Sequence, residues 1–140
     1  MGQGESIRAI LPGRLEYRDL AIRLIASASK LVHAGSEDFS NEIVSAFSEA
    51  LNNVIIHGAG STVGEVEIEI ELEEDRITVR LKDFGTAFDP RTAPAPDLES
   101  MPESGLGAFI IRSFTDEVTY TSGRPNTLSM TKRAARGISR

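Results

Sequence analysis

The sequence predicts an α+β fold: a two-layer sandwich whose mixed, mainly antiparallel sheet is covered on one face by helices. Three observations predict it. "GEVEIEIELEEDRITVRLKDFG" alternates apolar and charged residues on both sides of a short turn, as a half-buried β-hairpin does. Two stretches of helical period lie back to back before that hairpin. Two further alternating runs close the chain around the turn "SGRPN". The order is β-α-α-β-β-(loop)-α-β-β. Strands joined mainly as hairpins leave the helices one face to cover, which argues against a doubly wound parallel fold.

Each element follows in turn. "ESIRAILPG" reads as a first strand with Ile7, Ala9 and Leu11 on one face. "LEYRDLAIRLIASASKLVHAG" is a helix with Leu20, Leu24 and Leu31 among its apolar residues, stopped by Gly35. Ser36 is a good N-cap for a second helix, and Glu37 and Asp38 suit its positive end. Phe39, Ile43, Ala46, Phe47, Ala50, Leu51 and Val54 form its apolar stripe, and it runs to about His57. In the hairpin Val66, Ile68, Ile70 and Leu72 alternate with glutamates, and Ile77, Val79 and Leu81 alternate with Thr78, Arg80 and Lys82. The glutamates read as a solvated face opposite basic neighbours across the ladder rather than as metal ligands. "TAPAPDLESMPE" is a proline-rich loop, and long loops of this kind tend to be lids or flexible segments. "GLGAFIIRSFT" is a short amphipathic helix entered through glycines, and "DEVTYTS" and "NTLSMTKR" are the last two strands.

The bulk properties bound the function. A chain of 140 residues is most simply one domain, residues 1–140. At this size roughly 70% of the unfolded surface is buried without staples. No cysteine is present, so disulfides and thiolate metal sites are excluded. A net charge of −6 argues against direct binding to nucleic acid, and the basic end "KRAARGISR" reads as a solvated terminus. With no long apolar run and no basic-then-apolar start, neither a membrane span nor a signal peptide is expected.

Chemistry enters through three weak signals. In "SEALNNVIIHG", Glu49, Asn53 and His57 recur every fourth residue on the second helix. At about 100° per residue the row runs from the solvent side to the edge of the core. It is either a boundary row bonded to loops or one wall of a site. In "LKDFGTAFDP", Asp83 ends a strand and Gly85 follows, either as ordinary turn formers or as an acceptor beside a backbone that something approaches closely. In "ESGLGAF", Gly105 and Gly107 open a helix whose free N–H groups suit an anion, although G-x-G alone is weak and no P-loop pattern is present.

The order E-x-x-x-N, D-x-G, loop, G-x-G resembles the GHKL-type ATPases and their Bergerat fold. Within that superfamily "SEALNNVIIHG", "LKDFGTAFDP", "GLGAFIIRSFTDEVTY" and "NTLSMTK" resemble the segments of the bacterial anti-sigma-factor serine kinases, over nearly the whole chain. The resemblance implies ATP and Mg²⁺ as cofactors. It implies Glu49 as general base and Asn53 as the Mg²⁺ ligand. It implies Asp83 as the reader of the adenine amine, with Gly85 letting the base approach. Gly105, Leu106 and Gly107 would offer N–H groups to the phosphates, beneath an ATP lid at about 93–104. Thr127 matches a strand position near the adenine end, where it would support Asp83 through water. Asn52 and His57 lie in the matching segment without an assigned role. One departure stands: Ala87 replaces the second glycine of the usual D-x-G-x-G.

The implied function is a cytoplasmic bacterial protein serine/threonine kinase. It would act as a homodimeric anti-sigma factor that phosphorylates a STAS-type anti-anti-sigma protein and sequesters a sigma factor. An alternative, favoured by Ala87, is a catalytically weak ATP/ADP-dependent partner-binding switch. A third reading, the catalytic end of a histidine kinase, lacks the helix pair that would carry a phospho-accepting histidine. His33, alone on the first helix, reads as structural.

Overall fold

The computed structural model describes residues 4–57, 64–85 and 106–134, together with residues 87, 89 and 91. Its elements follow the predicted order: β1 (Glu5–Pro12), a 3₁₀ turn (Leu15–Tyr17), α1 (Arg18–Ser29), α2 (Glu37–His57), β2 (Glu65–Glu73), β3 (Arg76–Asp83), α3 (Leu106–Phe114), β4 (Glu117–Thr121) and β5 (Asn126–Arg133). The strands form one sheet in the order β1-β2-β3-β5-β4. Every pairing is antiparallel. This is the α+β arrangement that the sequence predicts.

The core lies between the helices and one face of the sheet. Val66, Ile68, Ile70 and Leu72 of β2 and Ile77, Val79 and Leu81 of β3 are buried there, as their alternation requires. Leu128 and Met130 of β5 continue the same face. From α2 come Phe39, Ile43, Ala46, Phe47, Ala50 and Leu51. The buried row then continues to Ile55, four residues beyond Leu51, and leaves the predicted Val54 at its margin. The hairpin closes tightly: Glu73 faces Arg76 across a turn made by Glu74 and Asp75.

The first helix differs from its prediction in register and in length. Leu20 and Leu31 are 55% and 58% exposed, whereas Ala21, Ile25 and Ala28 are buried. Leu24 packs at the margin of the core, Leu20 faces outward, and Leu31 lies beyond the end of the helix. The helix stops at Ser29, not at Gly35. Ser29 Oγ donates to the Ala26 carbonyl at 2.8 Å and is 2.9 Å from Ser40 Oγ on α2, so the helix end is fixed by hydroxyls. Gly35 has a packing role instead: a Cβ there would lie 2.6 Å from Phe39 Cδ2 in the core. Ser36 caps α2 as predicted, its Oγ accepting from the Phe39 N–H at 3.1 Å.

Candidate active site

Glu49 and Asn53 lie one turn apart on α2, both half-buried. Neither side chain makes a hydrogen bond or ion pair with another described residue. Their neighbours in the sequence are spent differently. Arg18 of α1 donates from Nε to Asn52 Oδ1 at 2.6 Å and from Nη2 to Ser48 Oγ at 3.4 Å. Asn52 is thus accounted for as a helix–helix contact, and the adjacent Asn53 keeps its amide unspent.

Glu49 faces the start of α3. A methyl group built on Gly107 would lie 2.8 Å from Glu49 Oε1 and 3.7 Å from its Cβ. Glycine at this position of α3 leaves the carboxylate room where it stands. The helix is held there by its own apolar face, where Ala108 and Ile111 are buried. α2 packs against both α3 and β3.

The other end is at the tip of β3. Asp83 is in phase with Ile77, Val79 and Leu81, which places a carboxylate on the core face, 6% exposed. Its Oδ1 accepts from the Gly85 N–H at 2.8 Å and from Asn126 Nδ2 at 3.2 Å. Asn126 Nδ2 also donates to the Gly85 carbonyl at 2.9 Å, and Asn126 Oδ1 accepts from the Gly123 N–H at 3.0 Å. Further along the chain, Arg91 donates to the Tyr120 carbonyl of β4 at 3.4 Å. The Arg91 hydrogen bonds to Asp89 hold that carboxyl below its ordinary value, against the opposing effect of burial.

A family model for the histidine kinase-like ATPase domain matches residues 11–132. The chain belongs to that family. Its curated relatives include the serine-protein kinase RsbW of Bacillus cereus strain Q1, 28% identical over 140 residues. RsbW of Bacillus thuringiensis subsp. konkukian strain 97-27 is 28% identical over 141, and that of Bacillus mycoides strain KBAB4 is 27% identical over 140. Each alignment covers 94% of this chain and 87% of the relative.

In this histidine kinase-like ATPase, whose family implies ATP as the ligand, the predicted site residues fall into two groups. Glu49 meets Gly107, beside Leu106, at the head of α3. Asp83 meets Gly85 at the end of β3. Gly105, the side chain of His57 and the lid at 93–104 lie outside the described residues. Ala87 is exposed.

Thr127 is corrected. It pairs with Lys82 and Thr121, one step out of phase with Leu128 and Met130, and so lies on the sheet face opposite to Asp83. The residue of β5 that reaches Asp83 is Asn126, which sequence reasoning missed. Its signal was present: in "NTLSM" it shares the phase of Leu128 and Met130, a polar residue at a core-facing position.

Proposed function

We propose that this chain is an ATP-dependent protein serine/threonine kinase that acts as an anti-sigma factor. The observation that carries the reading is the Glu49 carboxylate lying against Gly107 at the head of α3, with the unspent Asn53 amide one turn along the same helix. A base and a phosphate-binding helix start are then adjacent. In the reaction a serine or threonine oxygen of the acceptor bonds to the γ-phosphorus, and the bond from that phosphorus to the β–γ bridging oxygen breaks. ADP leaves, and the hydroxyl proton passes to Glu49. Backbone N–H groups of Gly105, Leu106 and Gly107 would stabilise phosphate charge. Asp83 would accept from the adenine amine, and residues at about 93–104 would close over the nucleotide.

Asn53 fits Mg²⁺. Its amide oxygen is a hard donor, and no cluster of three His, Asp or Glu occurs among the described residues. Mg²⁺ commonly keeps several waters and takes few protein ligands, with substrate phosphates supplying the rest. When bound it would neutralise phosphate charge.

The similarity to RsbW supports the kinase reading, and the family resemblance supports the partners: a STAS-type anti-anti-sigma protein as acceptor, a sigma factor as the sequestered protein, and a second copy as homodimer partner. A cytoplasmic location is consistent with partners of this kind, and no described helix is long and apolar enough to cross a membrane. The second reading, an ATP/ADP-dependent switch with weak transfer, is favoured by Ala87. The test is Glu49→Ala assayed for nucleotide binding and γ-phosphate transfer to the acceptor. Binding should persist while transfer falls at least about a hundredfold. Full transfer by the variant would remove Glu49 as the base. Absence of transfer in the unmodified protein, with nucleotide still bound, would favour the switch.

A further inference from the structure

Asn126 is the most completely engaged polar side chain at the sheet end, and its bonding has a direction. It is 2% exposed and faces Asp83 at the last register position of the β3–β5 ladder. Both N–H groups of its amide point at oxygens, Asp83 Oδ1 and the Gly85 carbonyl, and its oxygen receives the Gly123 N–H. Turned over, the amide would set its oxygen against two oxygens and its NH₂ against an N–H donor. Only one orientation satisfies the network.

That orientation decides what Asp83 can bind. With donors from Gly85 and Asn126 both on Oδ1, the carboxylate is fixed as an acceptor. Its Oδ2 takes no hydrogen bond from another described residue. Nor is any side-chain oxygen among the described residues both sealed from solvent and unbonded, so Oδ2 remains open to a ligand. We propose that Asn126 is a positioning residue that sets base selectivity: it holds Asp83 Oδ2 as a fixed acceptor, which admits a 6-amino purine and rejects a 6-oxo purine. The inference rests on the reading that Asp83 meets the nucleobase. A 6-oxo base would bring a carbonyl oxygen toward Oδ2, leaving two acceptors face to face without a proton between them. The Gly85 and Gly123 contacts extend the device to the backbone, because one amide ties the end of β3, the loop after it and the β4–β5 turn.

The experiment compares the affinities of the full chain for ATP and for inosine triphosphate. The proteins are the unmodified chain, Asn126→Ala, Asn126→Ser and Leu128→Ala, each measured below its melting temperature. The unmodified protein should prefer ATP by about a hundredfold or more. Both Asn126 variants should lose about tenfold of that preference, chiefly by weakened ATP binding. The serine variant keeps a small polar group in the buried site and decides the matter if alanine does not fold. Leu128→Ala opens a cavity on the same face of β5, so it should lower stability while the preference stays unchanged. An unmodified protein indifferent to the 6-substituent would remove Asp83 as the base reader and this inference with it. A selective unmodified protein whose Asn126 variants are equally selective would overturn the role of Asn126 alone. A Leu128→Ala protein that loses the preference to the same degree would also overturn it, because general loosening would then suffice.

Discussion

Glu49 lies close against Gly107, and a single methyl group tests that closeness. In Gly107→Ala the new Cβ would lie 2.8 Å from Glu49 Oε1. The carboxylate is the far end of a flexible side chain, so it can move aside cheaply and the fold should survive. Alanine also propagates a helix better than glycine by about 1 kcal/mol, which offsets part of the strain. The expected result is a melting temperature within a few degrees of the unmodified protein and phosphotransfer reduced about tenfold to a hundredfold, since a misplacement of about 1 Å costs that much. A variant with unchanged transfer would show that the contact does not position Glu49. At this scale the sequence was legible where phase could be counted. Asp83 continues the odd-numbered positions of β3 onto the core face, and Asn126 shares the phase of Leu128 and Met130. Thr127 was misassigned because sequence likeness near a strand end does not resolve which face a side chain takes, and a shift of one residue reverses it.

The elements were readable where their period was strong, and α1 shows where period failed. Its leucines are the evident apolar residues of the sequence, yet the fully buried ones are the small Ala21 and Ala28, with Ile25, and Leu24 packs only at the margin. Close helix packing selected small side chains, and single-sequence hydrophobicity ranks leucine above alanine. The α1–α2 pair is antiparallel and is pinned by polar contacts at each end. Ser29 and Ser40 meet at 2.9 Å where α1 ends and α2 begins, and Arg18 meets Asn52 at 2.6 Å at the opposite end. The long sequence separation of Arg18 and Asn52 hid this pair. It holds the turn of α2 that carries Glu49 and Asn53. Arg18→Met keeps much of the aliphatic volume and removes both hydrogen bonds. It should destabilise the chain by about 1–2 kcal/mol in urea unfolding, the range for a charge-assisted bond that is only partly buried. An unchanged unfolding midpoint would show that apolar packing alone fixes the helix pair.

Across the whole molecule, the two faces of the sheet separate two kinds of stabilisation. The helix face is apolar except at its functional edge. On the other face the β2 glutamates meet cations from both neighbouring strands. Arg8 on β1 is 3.7 Å from Glu67, Lys82 on β3 is 3.0 Å from Glu69, and Arg80 on β3 is 2.9 Å from Glu71. The shortest β2–β3 contacts run diagonally, because the register sets Glu69 opposite Arg80 and Glu67 opposite Lys82. The charge alternation in the sequence therefore encodes sheet pairing rather than a metal site. It also gives stability a defined pH dependence. The hydrogen bond from Lys82 is the main cause holding the Glu69 carboxyl below its ordinary 4.5, with burial opposing it. A carboxyl depressed on folding contributes stability that is fully present above the unfolded value and lost as pH falls through the folded one. At neutral pH Glu69→Gln should cost less than about 1 kcal/mol, as partly exposed ion pairs do. Denaturant melts from pH 7 down to pH 3 should show the variant and the unmodified protein converging once the pH drops below the ordinary carboxyl range. A difference that stays constant across that range would mean that Glu69 stabilises the sheet through shape and not through charge.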